Sequence, residues 1–262
     1  MNRLDKLFSK KNKNILSIYF SAGHPELNDT VAIIEMLDKS GADIVEIGIP
    51  FSDPVADGPV IQQSSLKALK NGMNVKLLFE QLRNIREKTE LPIILMGYLN
   101  PVLQYGIEAF CKKCYETGID GTIVPDLPPE LYVQNYKAIY EKYNLANILL
   151  VTPQTSDDRI KVLDSISTGF LYIVAASSTT GAKPGLEKYQ INYFNRLQKL
   201  HLKSPLLIGF GISDNKSFTE ACKYANGAII GSAFIKALEG KGELNYKVES
   251  FIKKIIRNGK NT

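Results

Sequence analysis

The stretch SGADIVEIGIPFSDPVADGP, residues 40–59, carries the pattern that decides the fold. Gly41 can end a helix, a run rich in β-branched residues follows, and the next segment holds three prolines among polar residues. A helix end, a buried strand and a polar loop in this order are typical of an α/β protein, in which helices cover a parallel sheet.

Similar units occur along the whole chain of 262 residues. Longer amphipathic segments separate eight short apolar runs: ILSIYFSAG (15–23), DIVEIGI (43–49), PIILMGY (92–98), GTIVPD (121–126), NILLVTP (147–153), FLYIVAA (170–176), PLLIGFG (205–211) and GAIIGS (227–232). An open doubly wound sheet would more often have about five to seven strands. We therefore predict a single (β/α)8 TIM barrel over residues 1–262, with an additional N-terminal helix around 3–9 and a last helix around 246–256.

Helix-capping signals agree with this order of elements. Asn28 or Asp29 can cap the helix that Gly41 ends, and Ser156 can cap the helix after the fifth run. After the last two runs, Ser213 and Ser232 are candidate caps. Helices are therefore expected directly after these strands.

Composition narrows the class of protein. The formal charge is +5, but Lys and Arg are interleaved with Asp and Glu, so no nucleic-acid partner is expected. The N-terminus carries no apolar signal segment and no apolar run is long enough to cross a bilayer, so no membrane association is expected. Three cysteines, an odd number, predict a reduced, cytoplasmic protein without disulfides.

Cys111 and Cys114 form a CxxC motif within IEAFCKKCYETG. This segment has a helical pattern, and redox CxxC motifs lie at the start of a helix rather than inside one. A zinc site would need two further ligands, and the sequence offers none nearby. The two thiols are expected to pack against the protein core, and no metal site is predicted.

Glu46 is the most informative polar residue. Strand alternation places Ile44, Glu46 and Gly48 on one face and Val45 and Ile47 on the other. The apolar face should lie against the helices, so Glu46 should point into the barrel, where burial raises the pKa of a carboxyl. The alternative is a structural Glu paired with a buried cation, but the strand cores contain none. We predict a general acid or base.

The loop PFSDPVADGP places Asp53 and Asp57 directly after this strand. Its prolines restrict the backbone and can fix the direction of a side chain. An isolated Asp in such a loop is more often a turn former than a catalyst. Proximity to Glu46 favours a functional role here, because active sites of barrels lie at the C-terminal ends of the strands.

The last two strands end in GFGIS (209–213) and GSAF (231–234), each with glycine before a helix. Such glycines allow an anion to approach the backbone, and free N–H groups at a helix N-terminus attract it. We predict a phosphate site, which barrels often form with these two loops. The segment SSTTGAKPGLEKY (177–189) is either a mobile lid or an ordinary surface loop.

Taken together, these segments resemble the tryptophan synthase alpha subunit family, from about Arg3 through the last helix. The motifs that carry the resemblance are VEIGIPFSDPVADGPVIQ (45–62), YLNPVLQYGIEAF (98–110), PDLPPEL (125–131), TPQTSDDRI (152–160), GFGIS and GSAFIK. The resemblance implies a lyase of L-tryptophan biosynthesis, which cleaves indole-3-glycerol phosphate to indole and glyceraldehyde 3-phosphate in a retro-aldol reaction. It also implies an α2β2 tetramer with a beta subunit that carries the pyridoxal phosphate, and no cofactor in this chain.

By the same resemblance, Glu46 and Asp57 are the catalytic pair. Glu46 would protonate the indole C3 carbon and assist removal of the glycerol hydroxyl proton, while Asp57 would hold the ring N–H. The expected substrate-binding residues are Tyr172, Leu99, Phe210, Thr180, Gly181, Gly211, Gly231 and Ser232. Asp53 and Asn100 are expected at the interface with the beta subunit.

The chain departs from the family pattern in one loop. Where the family commonly has Ser-Arg-x-Gly-Val-Thr-Gly, this chain has AASSTTG, residues 175–181, with Ala176 in place of Arg and Ser178 in place of Gly. Thr180 and Gly181 are retained. The substitutions put lid stability and communication with the beta subunit in doubt.

The same residues bear on two other classes of phosphate-binding barrel enzyme, Schiff-base aldolases and sugar-phosphate epimerases. A Schiff-base aldolase needs a lysine on a strand, and the strand cores contain none. A metal-dependent epimerase needs a ligand cluster, but the chain has only His24 and His201 as histidines. A catalytically weak barrel that mainly binds and activates the beta subunit stays open as the alternative.

Overall fold

Nine short parallel strands form one sheet in the computed structural model, which describes residues 2–175, 187–209 and 211–256. The strands are β1 Ile15–Ser21, β2 Ile44–Gly48, β3 Ile93–Met96, β4 Gly121–Ile123, β5 Ala146–Asn147, β6 Leu149–Val151, β7 Leu171–Val174, β8 Leu206–Gly209 and β9 Gly227–Ile230. Their order in the sheet is β5-β4-β3-β2-β1-β9-β8-β7-β6.

The sheet closes because β5 and β6 are two halves of one strand, interrupted at Ile148. Ile148 N donates to Thr122 O at 3.0 Å on the β4 side, and Asn147 O accepts from Thr168 N at 3.0 Å on the β7 side. All eight predicted strands are present at their expected places. The predicted (β/α)8 barrel is therefore confirmed.

Helices follow the strands around the outside of the barrel. In the described residues they are α1 Arg3–Lys10, α2 Asp29–Ser40, α3 Pro59–Lys70, α4 Val75–Leu82, α5 Leu99–Tyr105, α6 Ile107–Thr117, α7 Pro129–Leu131, α8 Lys137–Lys142, α9 Asp157–Ile166, α10 Lys188–Lys199, α11 Asn215–Ala221, α12 Ser232–Leu238 and α13 Leu244–Ile256. A 3₁₀ turn covers Ile85–Glu87, and a π turn over Tyr132–Tyr136 joins α7 to α8. The expected extra helix at the N-terminus is α1, and the expected last helix is α13.

Two of the predicted helix caps need correction. Ser156 caps α9 as expected, and its hydroxyl accepts a hydrogen bond from Arg159 N at 3.3 Å. Asp214, not Ser213, caps α11, because its carboxylate reaches Ser217 N at 2.8 Å. Ser232 is already the first helical residue of α12, so it lies one position too late to act as the cap.

Strand alternation separates the interior into two apolar clusters. Leu16, Ile18 and Phe20 of β1 pack between the strands and the helices, whereas Ile15 and Tyr19 of the same strand point into the barrel. The same division holds on β2, as its sequence predicted: Val45 and Ile47 face the helices and Ile44 faces inward.

Helix α1 closes the N-terminal end of the barrel. Leu4 is fully buried in the inner cluster, and the ring of Phe8 lies 6.1 Å from that of Phe170. Asn2 caps α1 and also donates to Asp120 O at 2.6 Å and to Asn144 O at 3.1 Å. The additional helix therefore completes the inner core at the end opposite the loops that carry the predicted site.

The CxxC segment lies inside α6, as expected. Cys111 and Cys114 are both fully buried, and each is a free thiol. No group of three or more His, Cys, Asp and Glu side chains suited to a metal ion occurs within the described residues. In the same parts of the chain, none of the helices has the length and hydrophobicity to cross a bilayer.

Arg86 and Asp120 form a buried ion pair beside α1, with Arg86 Nη2 2.8 Å from Asp120 Oδ2. The guanidinium also donates to the carbonyl oxygens of Thr89, Leu91 and Gly118. Asp120 Oδ2 in turn accepts from the backbone N–H of Ile93 at 2.9 Å. Because Ile93 begins β3 and Asp120 precedes β4, this network fixes the entry of two neighbouring strands.

The Arg86→Ala variant should lower the free energy of unfolding by about 3 kcal/mol, because it leaves a buried carboxylate without its main partner. Urea unfolding followed by circular dichroism measures this. Lys88→Ala, which breaks the more exposed pair with Glu35, is the matched control and should cost less than about 1 kcal/mol. Equal losses in the two variants would contradict a stabilising role for the Arg86 network.

Candidate active site

Glu46 points into the barrel from the middle of β2, as alternation predicted. It pairs in register with Tyr19 of β1 and with Ile94 of β3, and none of its surface is exposed. Ser17 donates a hydrogen bond to Glu46 Oε1 at 2.6 Å. The other carboxyl oxygen, Oε2, is buried without a hydrogen-bond partner among the described residues.

This environment makes Glu46 a proton donor near neutral pH. Burial raises the pKa of its carboxyl to about 7, and the hydrogen bond from Ser17 opposes part of that rise. The cation-paired alternative is not supported, because no salt bridge to Glu46 occurs in the parts of the chain that the structure describes. Two inward tyrosines, Tyr19 and Tyr172, lie close enough for the charge of Glu46 to raise their own pKa values, after the larger effect of burial.

Asp57 lies at the mouth of the barrel, in the loop after β2. Tyr98 OH donates to Asp57 Oδ2 at 3.1 Å and accepts from Ala56 N at 2.9 Å, so one phenol holds both the carboxylate and its loop. Gln62 adds a hydrogen bond to Asp57 O at 3.0 Å. Burial raises the pKa of Asp57 to about 6, while the bond from Tyr98 lowers it.

A narrow cleft opens beside Asp57 at the mouth of the barrel. Three aromatic rings line it, and two of them, Phe51 and Tyr98, lie 5.3 Å apart with an interplanar angle of 30°. Besides Asp57 and the third ring, Tyr19, the wall includes Ser21, Ile49, Pro54, Ser65, Met96, Gly97 and Pro125. A flat aromatic ligand with one polar N–H would match a cleft of this composition.

Two glycines make room for the inward tyrosines. A β-carbon at Gly48 would overlap the hydroxyl of Tyr19, and one at Gly209 would overlap the hydroxyl of Tyr172. Each glycine lies on the strand next to its tyrosine, at positions where the sheet has no space for a larger residue. The glycine-rich strand ends thus serve packing inside the barrel as well as any ligand.

The structure brings only part of the predicted substrate-binding set towards the carboxyl groups. Tyr172 is buried on the inner face of β7; burial raises its pKa most, and the charges of Glu46 and Asp57 raise it further. Leu99 begins α5, and its side chain packs against the outer cluster instead of lining the cleft. Met96, three residues earlier at the end of β3, does line the cleft. The difference arises because the inward face of β3 ends at Met96.

Three of the predicted phosphate-binding residues, Gly211, Gly231 and Ser232, lie at the same end of the barrel. Gly211 has a φ of 81° and open space around it, and Gly231 precedes the first turn of α12, which begins at Ser232. Phe210, Thr180 and Gly181 lie outside the described residues, as do Ala176 and Ser178.

The residues expected at a subunit interface are on the surface near the cleft. Asp53 is exposed and accepts a hydrogen bond from the hydroxyl of Ser52, and Asn100 is exposed in the first turn of α5. Val55, between Asp53 and Asp57, is 86% exposed, and Leu103 of α5 is also exposed. This rim therefore combines exposed apolar and polar side chains.

Two residues of the site, Ser17 and Tyr19, were missed on the sequence. Ser17 and Tyr19 share the inward face of β1, and the alternation that identified Glu46 would have found them. Tyr98 is the last residue of the third apolar run, so the sequence already places it at a strand end, where functional residues concentrate in barrels. Its bond to Asp57 had no signal in the sequence, because it depends on how two loops meet.

Comparisons with known proteins agree on one family. The family model described as tryptophan synthase alpha chain matches residues 6–261. A tryptophan synthase alpha chain of Flavobacterium psychrophilum is 58% identical over 242 residues, 92% of this chain and 95% of the relative, and one of Flavobacterium johnsoniae is 57% identical over 255 residues, 97% and 100%. The crystal structure of tryptophan synthase subunit alpha from Legionella pneumophila superposes with a TM-score of 0.87, at 35% identity and 97% coverage of each chain.

The Tyr98→Phe variant should raise the pKa of Asp57 above its value of about 6, because the phenol stabilises the charged carboxylate. Carbon-13 NMR titration of the aspartate carboxyl groups measures the change. Tyr105→Phe is the control, since that ring packs against Phe79 and Phe110 away from the cleft. An unchanged or lower Asp57 pKa in Tyr98→Phe would show that the hydrogen bond does not act on the carboxylate.

Proposed function

Because the chain belongs to the tryptophan synthase alpha chain family, whose members cleave indole-3-glycerol phosphate to indole and glyceraldehyde 3-phosphate, we propose that Glu46 and Asp57 carry out this cleavage. The family assigns the lyase reaction and its place in tryptophan biosynthesis. The observation that carries the residue assignment is a pair of carboxyl groups with different environments at one end of the barrel. Glu46 is fully buried, with a pKa near 7, and Asp57 lies at the mouth, with a pKa near 6.

The first step moves a proton onto the ring. Glu46 in its protonated form donates to C3 of the indole, which turns the ring into an electron acceptor and places positive charge on its nitrogen. Asp57 in its ionised form accepts a hydrogen bond from the ring N–H and stabilises that charge. The higher pKa of Glu46 and the lower pKa of Asp57 favour this distribution of protons over the reverse.

The second step breaks the carbon–carbon bond. Glu46, now a carboxylate, accepts the proton of the glycerol hydroxyl next to the ring. The hydroxyl carbon becomes the aldehyde of glyceraldehyde 3-phosphate, and the electrons of the broken bond restore the aromatic indole. Glu46 ends the cycle protonated, so one acid and one anionic partner are enough for the reaction.

Substrate binding must bring the ring and Glu46 together, because Glu46 does not line the cleft in this structure. Tyr19 connects the two places: it pairs in register with Glu46 and forms part of the cleft wall. We place the indole between the aromatic wall and Asp57. The phosphate would lie at the other side of the mouth, on the backbone N–H groups of Gly181, Gly211, Gly231 and Ser232. Phe210 would pack against the indole, and Thr180 would support closure of the loop over the site.

Membership of the family implies a beta subunit as partner. We propose an α2β2 tetramer in which the rim of Asp53, Val55 and Asn100 faces the beta subunit, and this is supported by the exposure of apolar Val55 beside the cleft. Pyridoxal phosphate would belong to that partner, with no cofactor in this chain. The three buried free thiols are typical of a cytoplasmic enzyme.

Replacing either carboxyl by its amide should abolish most of the activity. Glu46→Gln should lower kcat/KM for glyceraldehyde 3-phosphate release by about 10²- to 10⁴-fold, the usual range for a general acid–base, and Asp57→Asn by about 10²-fold or more. The assay uses indole-3-glycerol phosphate with and without the beta subunit. Glu90→Gln, at an exposed site by α1, is the matched control and should keep wild-type activity.

The two amide variants also separate the rival functions. Cleavage that rises with the beta subunit and collapses in Glu46→Gln supports the assignment. Unchanged cleavage in Glu46→Gln would keep the family but overturn the acid–base role. Absence of cleavage by the wild type in both conditions would favour the catalytically weak, partner-binding barrel.

A plot of kcat/KM against pH should be bell-shaped. The reaction starts with Glu46 protonated, so activity should fall as the pH rises through about 7, the pKa of Glu46. It also starts with Asp57 ionised, so activity should fall as the pH drops through about 6, the pKa of Asp57.

The substrate phosphate also titrates near about pH 6 and must be told apart from Asp57. In Tyr98→Phe the acidic limb should move to higher pH if it reports Asp57, whereas the phosphate would leave it in place. Activity that increases steadily from pH 6 to 9 would contradict the proposed starting protonation of Glu46.

A further inference from the structure

The hydroxyl of Ser17 is placed to control the resting position of Glu46. Both residues are fully buried inside the barrel, and Ser17 Oγ lies 2.6 Å from Glu46 Oε1, a short distance for a hydroxyl–carboxylate pair. A serine hydroxyl has one proton to donate, and here it is directed to the carboxyl. Oε2 has no partner among the described residues, so a proton on the resting carboxyl is carried on that oxygen.

The hydrogen bond from Ser17 draws the carboxyl of Glu46 away from the cleft. In the pairing of β1 with β2, Glu46 lies level with Tyr19, and Ser17 lies level with Ile44, two residues nearer the N-terminal end of the barrel. Two residues of a strand correspond to about 6.6 Å. Tyr19 and Ser21, which are level with Glu46 and above it, line the cleft, but Glu46 does not. The carboxyl is therefore bent towards the closed end.

We propose that Ser17 is a positioning residue that holds Glu46 in a retracted resting position, from which substrate binding releases the carboxyl towards the indole ring. The proposal rests on the role of Glu46 in the proposed function. It explains how an acid that must touch the substrate has no exposed surface and no place on the cleft wall. When released, the carboxyl would rise to the level of Tyr19 and Ser21, where the cleft begins.

Among the groups around Glu46, the hydroxyl of Ser17 is the contact that determines the resting position of the carboxyl. The titratable side chains among the described residues that interact with Glu46 are Tyr19 on β1 and Tyr172 on β7, and both of these also interact with Asp57. Burial keeps both phenols protonated at neutral pH, so neither brings a charge that would hold or repel the carboxyl. Ile94, the register partner on β3, is apolar.

Ser17→Ala tests the proposal through rate and pH together. Without the hydroxyl, Glu46 has no hydrogen bond to break when it leaves its resting position. The value of kcat/KM at the maximum of the pH profile, called the plateau below, should therefore rise severalfold, up to about tenfold. The bond also favours the charged carboxylate, so its loss should move the basic limb of the pH profile to higher pH. Ser17→Cys, with a weaker donor of similar size, should lie between Ser17→Ala and the wild type.

Thr122→Val controls for loss of a buried hydroxyl in itself. Thr122 donates to Tyr140 OH at 3.2 Å on the outer side of the barrel. This variant should therefore be less stable, but its plateau kcat/KM and the basic limb of its pH profile should equal those of the wild type. All variants are assayed with the beta subunit after their folding is verified by circular dichroism. A plateau at or below the wild-type value in Ser17→Ala, or an unmoved basic limb, overturns the proposal.

Difference infrared spectroscopy follows the carboxyl directly. Titration of the substrate-free chain should show the protonated C=O band of Glu46, identified by its loss in Glu46→Gln, at a higher frequency in Ser17→Ala than in the wild type. An identical band in both would overturn the resting contact. If Glu46→Gln keeps full cleavage activity, the proposed function fails; if it is inactive while Ser17→Ala behaves as the wild type, only the role of Ser17 fails.

Discussion

A carboxyl group enclosed by eight strands, with one hydroxyl as its hydrogen-bond donor, determines how the rest of the site is arranged. Ionised, Glu46 would be an isolated charge in an apolar interior, which is costly, so burial raises its pKa towards neutrality. A cation beside it would remove that effect, and the inward neighbours are instead phenols and aliphatic side chains. The neutral interior is what makes Glu46 an acid that functions at physiological pH.

The same interior explains why the second carboxyl lies elsewhere. Two carboxyl groups close together inside the barrel would share one proton, because the charge of one raises the pKa of the other, and neither would have a separate role as acid or as anion. Asp57 is at the mouth, on a loop restricted by prolines, where Tyr98 stabilises its charge. The pair can therefore hold one proton between them in a defined place, which the cleavage of a carbon–carbon bond next to an indole requires.

Much of this could be predicted from residue patterns that act locally. Alternation along one strand placed Glu46 inside, and the order of apolar runs and helix signals predicted the barrel. The contacts that adjust the site could not be predicted in the same way. The bond from Tyr98 to Asp57 joins residues 41 positions apart, and the bond from Ser17 to Glu46 joins residues 29 apart. The first depends on how two loops meet and the second on the register of neighbouring strands, and the pattern of a single strand specifies neither. The place of Leu99 was likewise not specified by the sequence: β3 ends three residues before it, at Met96, and its side chain packs against the outer cluster, so its contact with the indole stays a prediction.

The division of the barrel into two ends makes the retracted carboxyl possible. At the N-terminal end, Leu4 and Phe8 of α1 fill the interior of the barrel. The Arg86–Asp120 network fixes the starts of β3 and β4 at this same end, below the level of Ser17. At the other end, Gly48 and Gly209 leave space that the rings of Tyr19 and Tyr172 occupy. Glu46 lies between these ends, with Ser17 nearer the closed end and the rings of Tyr19 and Tyr172 among its inward neighbours. The proposed release of Glu46 would exchange its hydrogen bond from Ser17 for contact with the substrate.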